Sequence, residues 1–237
     1  MNIAIIVPAY NEKKNLIKLV KEINKNVVAT IIIVDDSPDQ SSKILFKDKP
    51  KNIKFLYRGK KLGRGSAVIF GLKKALKIKK ITYFIEMDAD LSHKPSELKK
   101  NLDIFNKNKL DLLIASRYLE KSKIINWPKS RRVLSKLSNK MARYLLGIPI
   151  SDYTNGYRIY SKRATNLITK KCGRIGDGFI VLSEIIMLID LKKYKIGETH
   201  TKFINRIRGE SSVNFKLILQ SLQGLFKLYL IKKFKKV

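Results

Sequence analysis

The chain has 237 residues, 44% of them hydrophobic and 30% charged, which excludes a disordered polypeptide and allows a sizeable buried core. Its 51 Lys and Arg against 19 Asp and Glu give a formal net charge of +32, which indicates an anionic partner (nucleic acid, a membrane surface or a phosphorylated substrate) unless the lysines form only a solvated surface. Cys172 is the only cysteine and His93 and His200 are the only histidines, which excludes an intrachain disulfide, a cysteine-rich zinc module and a histidine-based metal site, and fits a reducing compartment.

The first half of the chain alternates between strand and helix patterns. The N-terminal sequence MNIAIIVPAYNE lacks a basic n-region and is interpreted as a first strand, not a signal peptide. Short runs rich in Ile and Val predict strands buried on both faces, at residues 3–7, 30–34, 53–57, 82–87 and 111–115. Helical spacing of apolar residues occurs at 12–23 and 66–78. This alternation predicts an α/β fold with a mostly parallel sheet flanked by helices.

Polar motifs follow four of these predicted strands. PAYNE follows the first strand, DDSPD the second, DAD the fourth and SRY the fifth. Ligands of open α/β sheets bind outside the carboxyl ends of the strands. The four motifs are therefore expected to meet in one cleft.

The second half of the chain is organised differently. Residues 127–147 predict a basic amphipathic helix, 152–161 a polar glycine-containing segment ahead of a helix, 178–191 a buried helix, and 195–212 a strand and a loop. No run of about 18 apolar residues occurs, so no transmembrane helix is predicted. Without internal repeats or a low-complexity linker, we expect one catalytic domain over 1–212 and a basic amphipathic helix over 213–237.

The DAD motif places two carboxylates, Asp88 and Asp90, one residue apart at the end of a predicted buried strand. Mg²⁺ and Mn²⁺ prefer oxygen ligands and are often held by one or two carboxylates together with substrate phosphates. A helix cap or a surface turn is the alternative, because an isolated D-x-D is a weak signal.

Eight motifs in series strengthen the metal interpretation. They are PAYNE, VDDSPD, KKLGRGSAVIFGL, MDADLSHKP, SRY, a tryptophan with RRVLSKLSN, NGYRIY and RIRGES. In this order the chain, over roughly residues 3 to 215, resembles the dolichyl-phosphate mannosyltransferase branch of the family 2 glycosyltransferases. The resemblance implies a GT-A fold and inverting transfer of mannose from GDP-mannose to dolichyl or polyprenyl phosphate.

The resemblance also implies which residues hold the nucleotide sugar. Pro8, Tyr10 and Glu12 match the segment that holds the nucleotide. Asp36, with Asp35 beside it, matches the acidic pair that contacts the nucleoside.

The DAD motif matches the metal-binding pair of the family. Asp88 and Asp90 are implied ligands of Mg²⁺ or Mn²⁺, and the backbone of Ala89 is implied to lie near the nucleotide.

Four further residues match positions that contact phosphate groups. Arg117 and Ser135 match residues that receive the acceptor phosphate, and Arg131 and Arg206 match arginines that contact the donor diphosphate. Asp90, Arg117 and Ser135 are thus the implied catalytic residues.

The chemistry of the reaction agrees with these residue types. A sugar that leaves its diphosphate passes through an oxocarbenium-like state, and the negative charge that develops on the leaving group is stabilised by a metal and by arginines. Arginine binds phosphate oxygens in pairs through its planar fork. The acceptor phosphate is already anionic and needs no strong general base, so His93 is expected to pack or hydrogen-bond rather than to catalyse.

Several positions depart from the family pattern. DDSPDQSS lacks a residue that is often present, KKLGRGSA replaces the commoner KLGLGTA, Asn155 stands where serine is frequent, and Ser212 stands where lysine is common. None of these removes a matched metal ligand or arginine. They leave the sugar open, and a UDP-glucose-dependent polyprenyl-phosphate glucosyltransferase is the alternative.

Two other classes of protein compete with the transferase interpretation. A dinucleotide-binding oxidoreductase is disfavoured, because GRG at 63–65 does not follow the first strand and Val68 stands where a third glycine would be needed. A nucleic-acid-binding protein, suggested by charge alone, should cluster basic residues among stacking aromatics, whereas lysines here are spread over the whole chain. No nucleic-acid partner is therefore predicted.

The C-terminal stretch combines apolar and basic residues. One helical face would carry Phe215, Leu219, Leu222, Phe226, Leu230 and Phe234, and the charge would come from Lys216, Lys227, Lys232, Lys233, Lys235 and Lys236. This composition is typical of a helix that lies in a membrane interface, with a core-packing helix as the alternative. We expect a peripheral protein on the cytoplasmic face of an anionic membrane, and the helix at 127–147 is a second candidate interfacial element.

Overall fold

The computed structural model describes residues 2–39, 50–205 and 215–234, with side chains in the last range from residue 220 onward. The strands are β1 Ile3–Ala9, β2 Thr30–Asp35, β3 Ile53–Tyr57, β4 Tyr83–Glu86, β5 Leu112–Ser116, β6 Lys123–Ile125, β7 Arg158–Ser161, β8 Ile196–His200 and β9 Lys202–Ile204. The helices are α1 Lys13–Asn26, α2 Arg64–Leu76, α3 Leu98–Lys107, α4 Lys129–Leu146, α5 Lys162–Lys171, α6 Ile180–Leu191 and α7 Phe215–Lys233.

Within residues 2–39, 50–205 and 215–234, seven strands form the main sheet in the order β3-β2-β1-β4-β7-β5-β8. The pairs β1–β2, β1–β4, β2–β3 and β5–β8 are parallel, and of these seven described strands only β7 runs antiparallel, to both β4 and β5. The strands β6 and β9 form a separate parallel pair. The predicted α/β fold with a mostly parallel sheet is confirmed.

Side chains alternate between the two faces of the sheet and feed a core on each side. In β1, Ala4 and Ile6 join one core and Ile5 and Val7 join the other. A central strand covered on both faces must be apolar at every position, which explains the uninterrupted run by which it was predicted.

Strand β7 was not predicted, because its residues were assigned to a polar segment. Arg158, in this strand, is fully buried, and it donates hydrogen bonds to the carbonyl oxygens of Asn155, Tyr153 and Leu182. Each of the three guanidinium nitrogens thus donates to a backbone carbonyl, which allows a residue that looks polar in the sequence to lie in the middle of the sheet.

Two further elements differ from the sequence-based expectation. Helix α3 was not predicted, although Leu98, Leu102 and Phe105 are buried along one of its faces. The segment at 195–212, expected as one strand and a loop, contains the two strands β8 and β9, and its residues from 206 onward lie outside the described residues.

Helix α7 packs against α4 and α6. Leu225 and Leu228 are buried in the core on one side of the sheet. The opposite side of the helix leaves Leu222, Phe226 and Phe234 exposed. Among the described helices, none combines the length and the apolar composition needed to cross a bilayer.

Candidate active site

The carboxyl ends of β1, β2, β4 and β5 share one edge of the sheet. Ala9 pairs with Asp35 across β1 and β2, and the amide of Asp36 donates to the carbonyl of Ala9 at 2.9 Å. On the other side of β1, the amide of Met87 donates to the carbonyl of Ile6 at 3.1 Å. Strands β4 and β5 run in the same direction because both are antiparallel to β7. The polar motifs that follow these strands are therefore brought to one edge.

The acidic pair after β2 is buried and largely engaged by the protein. Arg58 forks onto Asp36, with Nε 2.6 Å from Oδ1 and Nη2 2.7 Å from Oδ2. The Oδ1 atom of Asp35 accepts from the amide of Ser37 at 3.0 Å and from its hydroxyl. Among the described residues, Asp35 Oδ2 is buried without a hydrogen-bond partner. A buried acceptor of this kind calls for a donor from outside the described chain.

The PAYNE segment passes from β1 into α1. Pro8 is the sixth residue of β1, and Tyr10 is 39% exposed with Lys61 Nζ 4.7 Å from its ring centroid. Glu12 precedes the first turn of α1, and its Oε2 accepts from Asn15 Nδ2 at 2.6 Å. Tyr10 thus offers an aromatic surface at the rim of the edge, where a nucleoside could pack.

The DAD segment continues β4 into the same edge. Asp88 has a quarter of its side chain exposed, and Asp90 is half-buried with Oδ1 accepting from the amide of Ser92 at 3.1 Å. Ala89, between them, is buried. The two acids therefore reach the surface of the cleft while the strand that carries them is anchored in the core.

A buried guanidinium contacts this segment from the start of α2. Arg64 Nε and Nη2 lie 2.8 and 2.6 Å from Asp88 Oδ1, and Nη1 forms an ion pair with Glu86 Oε1 at 2.6 Å. Burial alone would lower the pKa of Arg64, but Asp88 and Glu86 more than offset it and the pKa is raised above its ordinary value. Sequence reasoning noted the arginine in KKLGRGSA as a departure from the family pattern and did not assign it to the site.

His93 organises the DAD loop from behind. It is buried, its Nδ1 accepts from the amide of Asp88 at 3.1 Å, and its Nε2 lies 2.9 Å from Asn155 Oδ1. Its ring stacks on Tyr157 with centroids 5.3 Å apart. An Nδ1 that accepts from a backbone amide places the ring proton on Nε2, where it donates to Asn155. The sequence-based expectation that His93 packs and hydrogen-bonds agrees with this arrangement.

Asp88 and Asp90 offer carboxylate oxygens as possible ligands for a divalent cation. Carboxylate oxygens suit Mg²⁺ and Mn²⁺, which commonly use one or two carboxylates and complete their shell with water and phosphate oxygens. Within the described ranges, no group of three or more His, Cys, Asp or Glu side chains is placed to hold a metal. The residues present therefore fit a cation that takes its other ligands from a bound diphosphate or from water, and do not fit a closed protein cage.

Arg117, after β5, is a buried cation with a fixed partner. Its Nε and Nη2 each lie 2.8 Å from an oxygen of Asp152, and Nη2 also donates to Thr154 Oγ1 at 2.6 Å. Burial alone would lower the pKa of Arg117, but Asp152 more than offsets it and the pKa is raised. Conversely, burial would raise the pKa of Asp152, but Arg117 keeps it below its ordinary value. The pair is therefore charged throughout the neutral range.

A cleft between α4, α6 and α7 begins at this arginine. Its polar end contains Arg117, Arg131 and Ser135, and its walls include Leu134, Met141, Ile180, Leu222 and Leu225. Both guanidinium groups lie over the ring of Trp127, at 5.2 Å for Arg117 and 4.9 Å for Arg131. The cleft therefore combines two neighbouring cations with walls that are mainly apolar and that also carry the hydroxyls of Ser138, Ser183 and Ser221.

Ser135 is oriented by a neighbouring phenol. Tyr118 donates its hydroxyl proton to Ser135 Oγ at 2.6 Å. Burial raises the pKa of Tyr118, so the phenol keeps its proton at neutral pH. Because Ser135 Oγ accepts this bond, its own proton remains available to donate to a second acceptor.

The structure brings the predicted site residues together in two groups. One group, at the ends of β1, β2 and β4, contains Pro8, Tyr10, Glu12, Asp35, Asp36, Asp88, Ala89 and Asp90. The other group, at the cleft, contains Arg117, Arg131 and Ser135. Arg206 and the RIRGES motif lie outside the described residues.

Three ion-pair partners in the site were missed by sequence reasoning. They are Arg58, Arg64 and Asp152, which hold Asp36, Asp88 and Arg117. The only signal available in the sequence was that charged residues stand at the ends or starts of predicted elements.

Comparison with known proteins adds independent information. The family model described as Glycosyl transferase family 2 matches residues 4–168. A polyprenol monophosphomannose synthase from Mycolicibacterium smegmatis is 37% identical over 169 residues, 69% of this chain and 63% of that protein. A dolichol-phosphate mannosyltransferase from Pyrococcus furiosus is 32% identical over 237 residues, 96% of this chain and 64% of that protein. The chain thus spans less than two thirds of the length of these relatives.

Solved structures resemble the chain in fold. Glucosyl-3-phosphoglycerate synthase from Mycobacterium tuberculosis, in complex with Mn²⁺, UDP and glucosyl-3-phosphoglycerate, has a TM-score of 0.64 at 18% identity, covering 98% of this chain and 79% of that one. Mannosyl-3-phosphoglycerate synthase from Rubrobacter xylanophilus has a TM-score of 0.65 at 13% identity, covering 100% of this chain and 76% of that one. The expected GT-A fold is confirmed by these neighbours, and the chain belongs to glycosyl transferase family 2.

Proposed function

We propose that this protein transfers mannose from GDP-mannose to dolichyl or polyprenyl phosphate, with inversion at the anomeric carbon. The observation that carries the proposal is the cleft between α4, α6 and α7, which places the neighbouring guanidinium groups of Arg117 and Arg131 beside mainly apolar walls. A polyprenyl phosphate has the same two-part chemistry, a dianionic head and a long hydrocarbon chain. The two relatives are named for transfer of this kind, which supports the choice of acceptor and sugar.

The acceptor phosphate is placed at the polar end of the cleft. Arg117 is held by Asp152 in one orientation, and a guanidinium fixed in advance loses little side-chain entropy when a phosphate binds. Ser135, which accepts from Tyr118, has its own proton to donate. The isoprenoid chain would then follow Leu134, Met141 and Leu222 toward the exposed side of α4 and α7.

The nucleotide sugar is placed at the ends of β1, β2 and β4. The exposed ring of Tyr10 and the buried, unpartnered Oδ2 of Asp35 suit a nucleoside, whose ring can pack and whose N–H or O–H groups can donate. Asp88 and Asp90 would hold Mg²⁺ or Mn²⁺, which when bound neutralises charge on the leaving diphosphate. Arg206 is assigned to the diphosphate by its match to the family motifs. Arg131 matches the same role, and because it lies beside Arg117 over Trp127 we assign it to the junction between the diphosphate and the acceptor phosphate.

The reaction at this site is a displacement at the anomeric carbon. An oxygen of the acceptor phosphate forms the new bond to carbon as the bond from that carbon to the diphosphate oxygen breaks, and the bonding pair leaves with GDP. The attacking oxygen carries no proton, so the chain needs no general base. The role of the protein is to hold the acceptor phosphate, through Arg117 and Ser135, in line with the bond that breaks at the anomeric carbon. It also keeps the two reactants together.

A short chain of hydrogen bonds joins the donor and acceptor sides. The amide of Asp88 donates to His93 Nδ1, and the other ring nitrogen of His93 contacts Asn155. The backbone amide of Asn155 donates to Asp152, the partner of Arg117. Direct transfer between two bound substrates requires two sites that adjoin in this way.

The exposed surface beside the cleft is proposed to rest on an anionic membrane. On α7, Leu222, Phe226, Leu230 and Phe234 are exposed, and on α4 Val133, Leu134, Leu137 and Tyr144 are exposed. Exposed basic residues of the two helices are Lys129, Arg132, Lys136, Lys140, Arg143, Lys227 and Lys233. Each lysine or arginine near an anionic surface contributes about 1 kcal/mol, so a helix pair of this composition can hold the protein reversibly.

The α7 stripe predicted from the sequence agrees with this surface where it is described. Phe215, Lys216, Leu219, Lys235 and Lys236 lie outside the described side chains. We place the protein at the cytoplasmic face, where a reducing environment suits the single cysteine.

A radiolabelled transfer assay tests the proposal. GDP-mannose and UDP-glucose are each offered with polyprenyl phosphate and Mn²⁺, and lipid-linked product is expected from GDP-mannose. Product from UDP-glucose alone would replace mannose by glucose and leave the acceptor assignment standing. Absence of lipid-linked product from both donors, in a protein that binds GDP, would overturn the acceptor assignment.

A further inference from the structure

Arg64 occupies the carboxylate that the proposed metal site depends on. Two of its nitrogens contact the same oxygen of Asp88, at 2.8 and 2.6 Å, and its third contacts Glu86 at 2.6 Å. Its side chain is 15% exposed, whereas that of Asp88 is 25% exposed. The arginine therefore lies beneath the acidic pair and meets Asp88 from the protein side.

The guanidinium packs against two further groups besides the acids. A Cβ atom at Gly156 would lie 1.8 Å from Arg64 Nη2, so the guanidinium lies directly against the backbone of this glycine. On another side, the guanidinium carbon is 5.9 Å from the ring centroid of Phe179. Moving Arg64 would also leave Glu86, which is fully buried, without its cation. Arg64 is thus expected to stay in place when another cation approaches.

The charged side chains around Asp88 determine how strongly the site attracts a divalent cation. Glu86, Asp88 and Asp90 carry three negative charges, and Arg64 cancels one of them at hydrogen-bond distance from Asp88. A divalent cation on Asp88 would share that carboxylate with a guanidinium, and repulsion between the two cations is stronger at a partly buried site than in water. A bound nucleoside diphosphate should outweigh this repulsion, because it adds several negative charges and further oxygen ligands for the cation.

We propose that Arg64 shares the Asp88 carboxylate with the divalent cation, so that the free protein binds the cation weakly and takes it up together with the nucleotide diphosphate. This inference rests on the proposed metal role of Asp88 and Asp90. Arg64 acts as a positioning residue: it fixes Asp88 in the absence of metal and makes cation binding depend on the diphosphate.

The experiment measures Mn²⁺ binding to the whole protein, by the electron paramagnetic resonance signal of free Mn²⁺, with and without GDP. Removing Arg64 alone would strand the buried Glu86, so the comparison is made in a Glu86→Gln background. Gln can keep both contacts of Glu86, because its amide oxygen can accept from Arg64 Nη1 and its amide nitrogen can donate to the hydroxyl oxygen of Tyr160. Arg64→Leu/Glu86→Gln is then compared with Glu86→Gln.

Without nucleotide, the double variant is expected to bind Mn²⁺ at least tenfold more tightly than Glu86→Gln. Adding GDP should tighten Mn²⁺ binding more in Glu86→Gln than in the double variant. Lys25→Leu removes one positive charge from the exposed face of α1 and should leave Mn²⁺ binding unchanged, which separates a local effect from the net charge of the protein. Arg64→Met/Glu86→Gln also lacks the positive charge, should bind Mn²⁺ as tightly as the leucine double variant, and serves if the leucine variant does not fold.

Equal Mn²⁺ affinity with and without the arginine would overturn the inference. Asp90→Asn distinguishes this result from a failure of the metal site itself. If Asp90→Asn abolishes Mn²⁺ binding in the presence of GDP, the metal site stands and only the role of Arg64 is wrong. If Asp90→Asn changes nothing, the proposed metal site is wrong as well.

Discussion

Replacing Arg117 by alanine would leave the Asp152 carboxylate buried without its cation. The two side chains are 6% and 0% exposed, and two bonds of 2.8 Å join them. Removing one partner of such a buried pair costs about 3–5 kcal/mol, because the remaining charge is uncompensated. In a domain of this size each kcal/mol lowers the melting temperature by roughly 2–4 °C, so the variant is expected to melt roughly 6–20 °C below the wild type.

Differential scanning calorimetry checks this stability effect, and two variants serve as controls. Lys25→Ala breaks an exposed pair on α1, worth about 0–1 kcal/mol, and should change the melting temperature only slightly. Arg117→Met/Asp152→Asn removes both charges and should recover part of the loss. A melting temperature for Arg117→Ala no lower than that of Lys25→Ala would refute the claim that the pair is strongly coupled.

The same pair predicts a pH dependence of stability. Arg117 lowers the folded-state pKa of Asp152 below its unfolded value, so this contribution is present above the unfolded pKa and is lost as pH falls through the folded pKa. In Arg117→Ala the buried carboxyl of Asp152 loses the guanidinium that offsets burial, so its pKa rises and the variant regains stability as the carboxyl is protonated. The difference in melting temperature between wild type and Arg117→Ala should therefore be widest near about pH 8 and narrow as pH falls toward about pH 4. A difference that stays constant over this range would show that Asp152 is not the titrating group.

Three further predictions concern function. Asp90→Asn should lower turnover by orders of magnitude without changing the melting temperature, and full activity of this variant or of the wild type in EDTA would show the acidic pair to be structural. Tyr118→Phe removes the hydroxyl that orients Ser135, and is expected to raise KM for polyprenyl phosphate several-fold while GDP affinity, measured by calorimetry, stays the same. Phe226→Ser/Phe234→Ser should reduce co-sedimentation with anionic vesicles and spare transfer to a short soluble acceptor; unchanged sedimentation would leave α7 without a role in membrane binding.

Much of the sheet could be predicted because its central strands leave a strong signal. Residues 3–7 and 31–34 are apolar throughout, since both faces of β1 and β2 are covered. The order of acids after the strands then located the edge where ligands bind. Strand β7 was not predicted in this way, because the strand begins with Arg158. The burial of this arginine depends on hydrogen bonds to backbone carbonyls, which no sequence pattern shows.

The candidate site was predictable in its acids and less so in its arginines. Asp36 and Asp88 can be recognised as site candidates because they follow predicted strands. Their arginine partners are 22 and 24 residues away in the sequence, and Asp152 is 35 residues from Arg117. An arginine at the start of a helix looks like a solvated surface residue until the fold supplies its carboxylate. Pairing across elements is decided by topology, and the sequence alone does not specify it.

The buried pairs explain why a chain with a net charge of +32 still places carboxylates at the heart of its site. Exposed lysines attract any anion, and their fields are screened by salt within about 10 Å, so they draw the protein toward anionic surfaces without selecting among phosphates. Selection needs a cation in a fixed position and orientation, and a carboxylate that holds a guanidinium from the other side fixes both. Asp152 does this for Arg117, while Glu86 and Asp88 do it for Arg64. The few acids are therefore placed where they turn mobile positive charges into oriented ones.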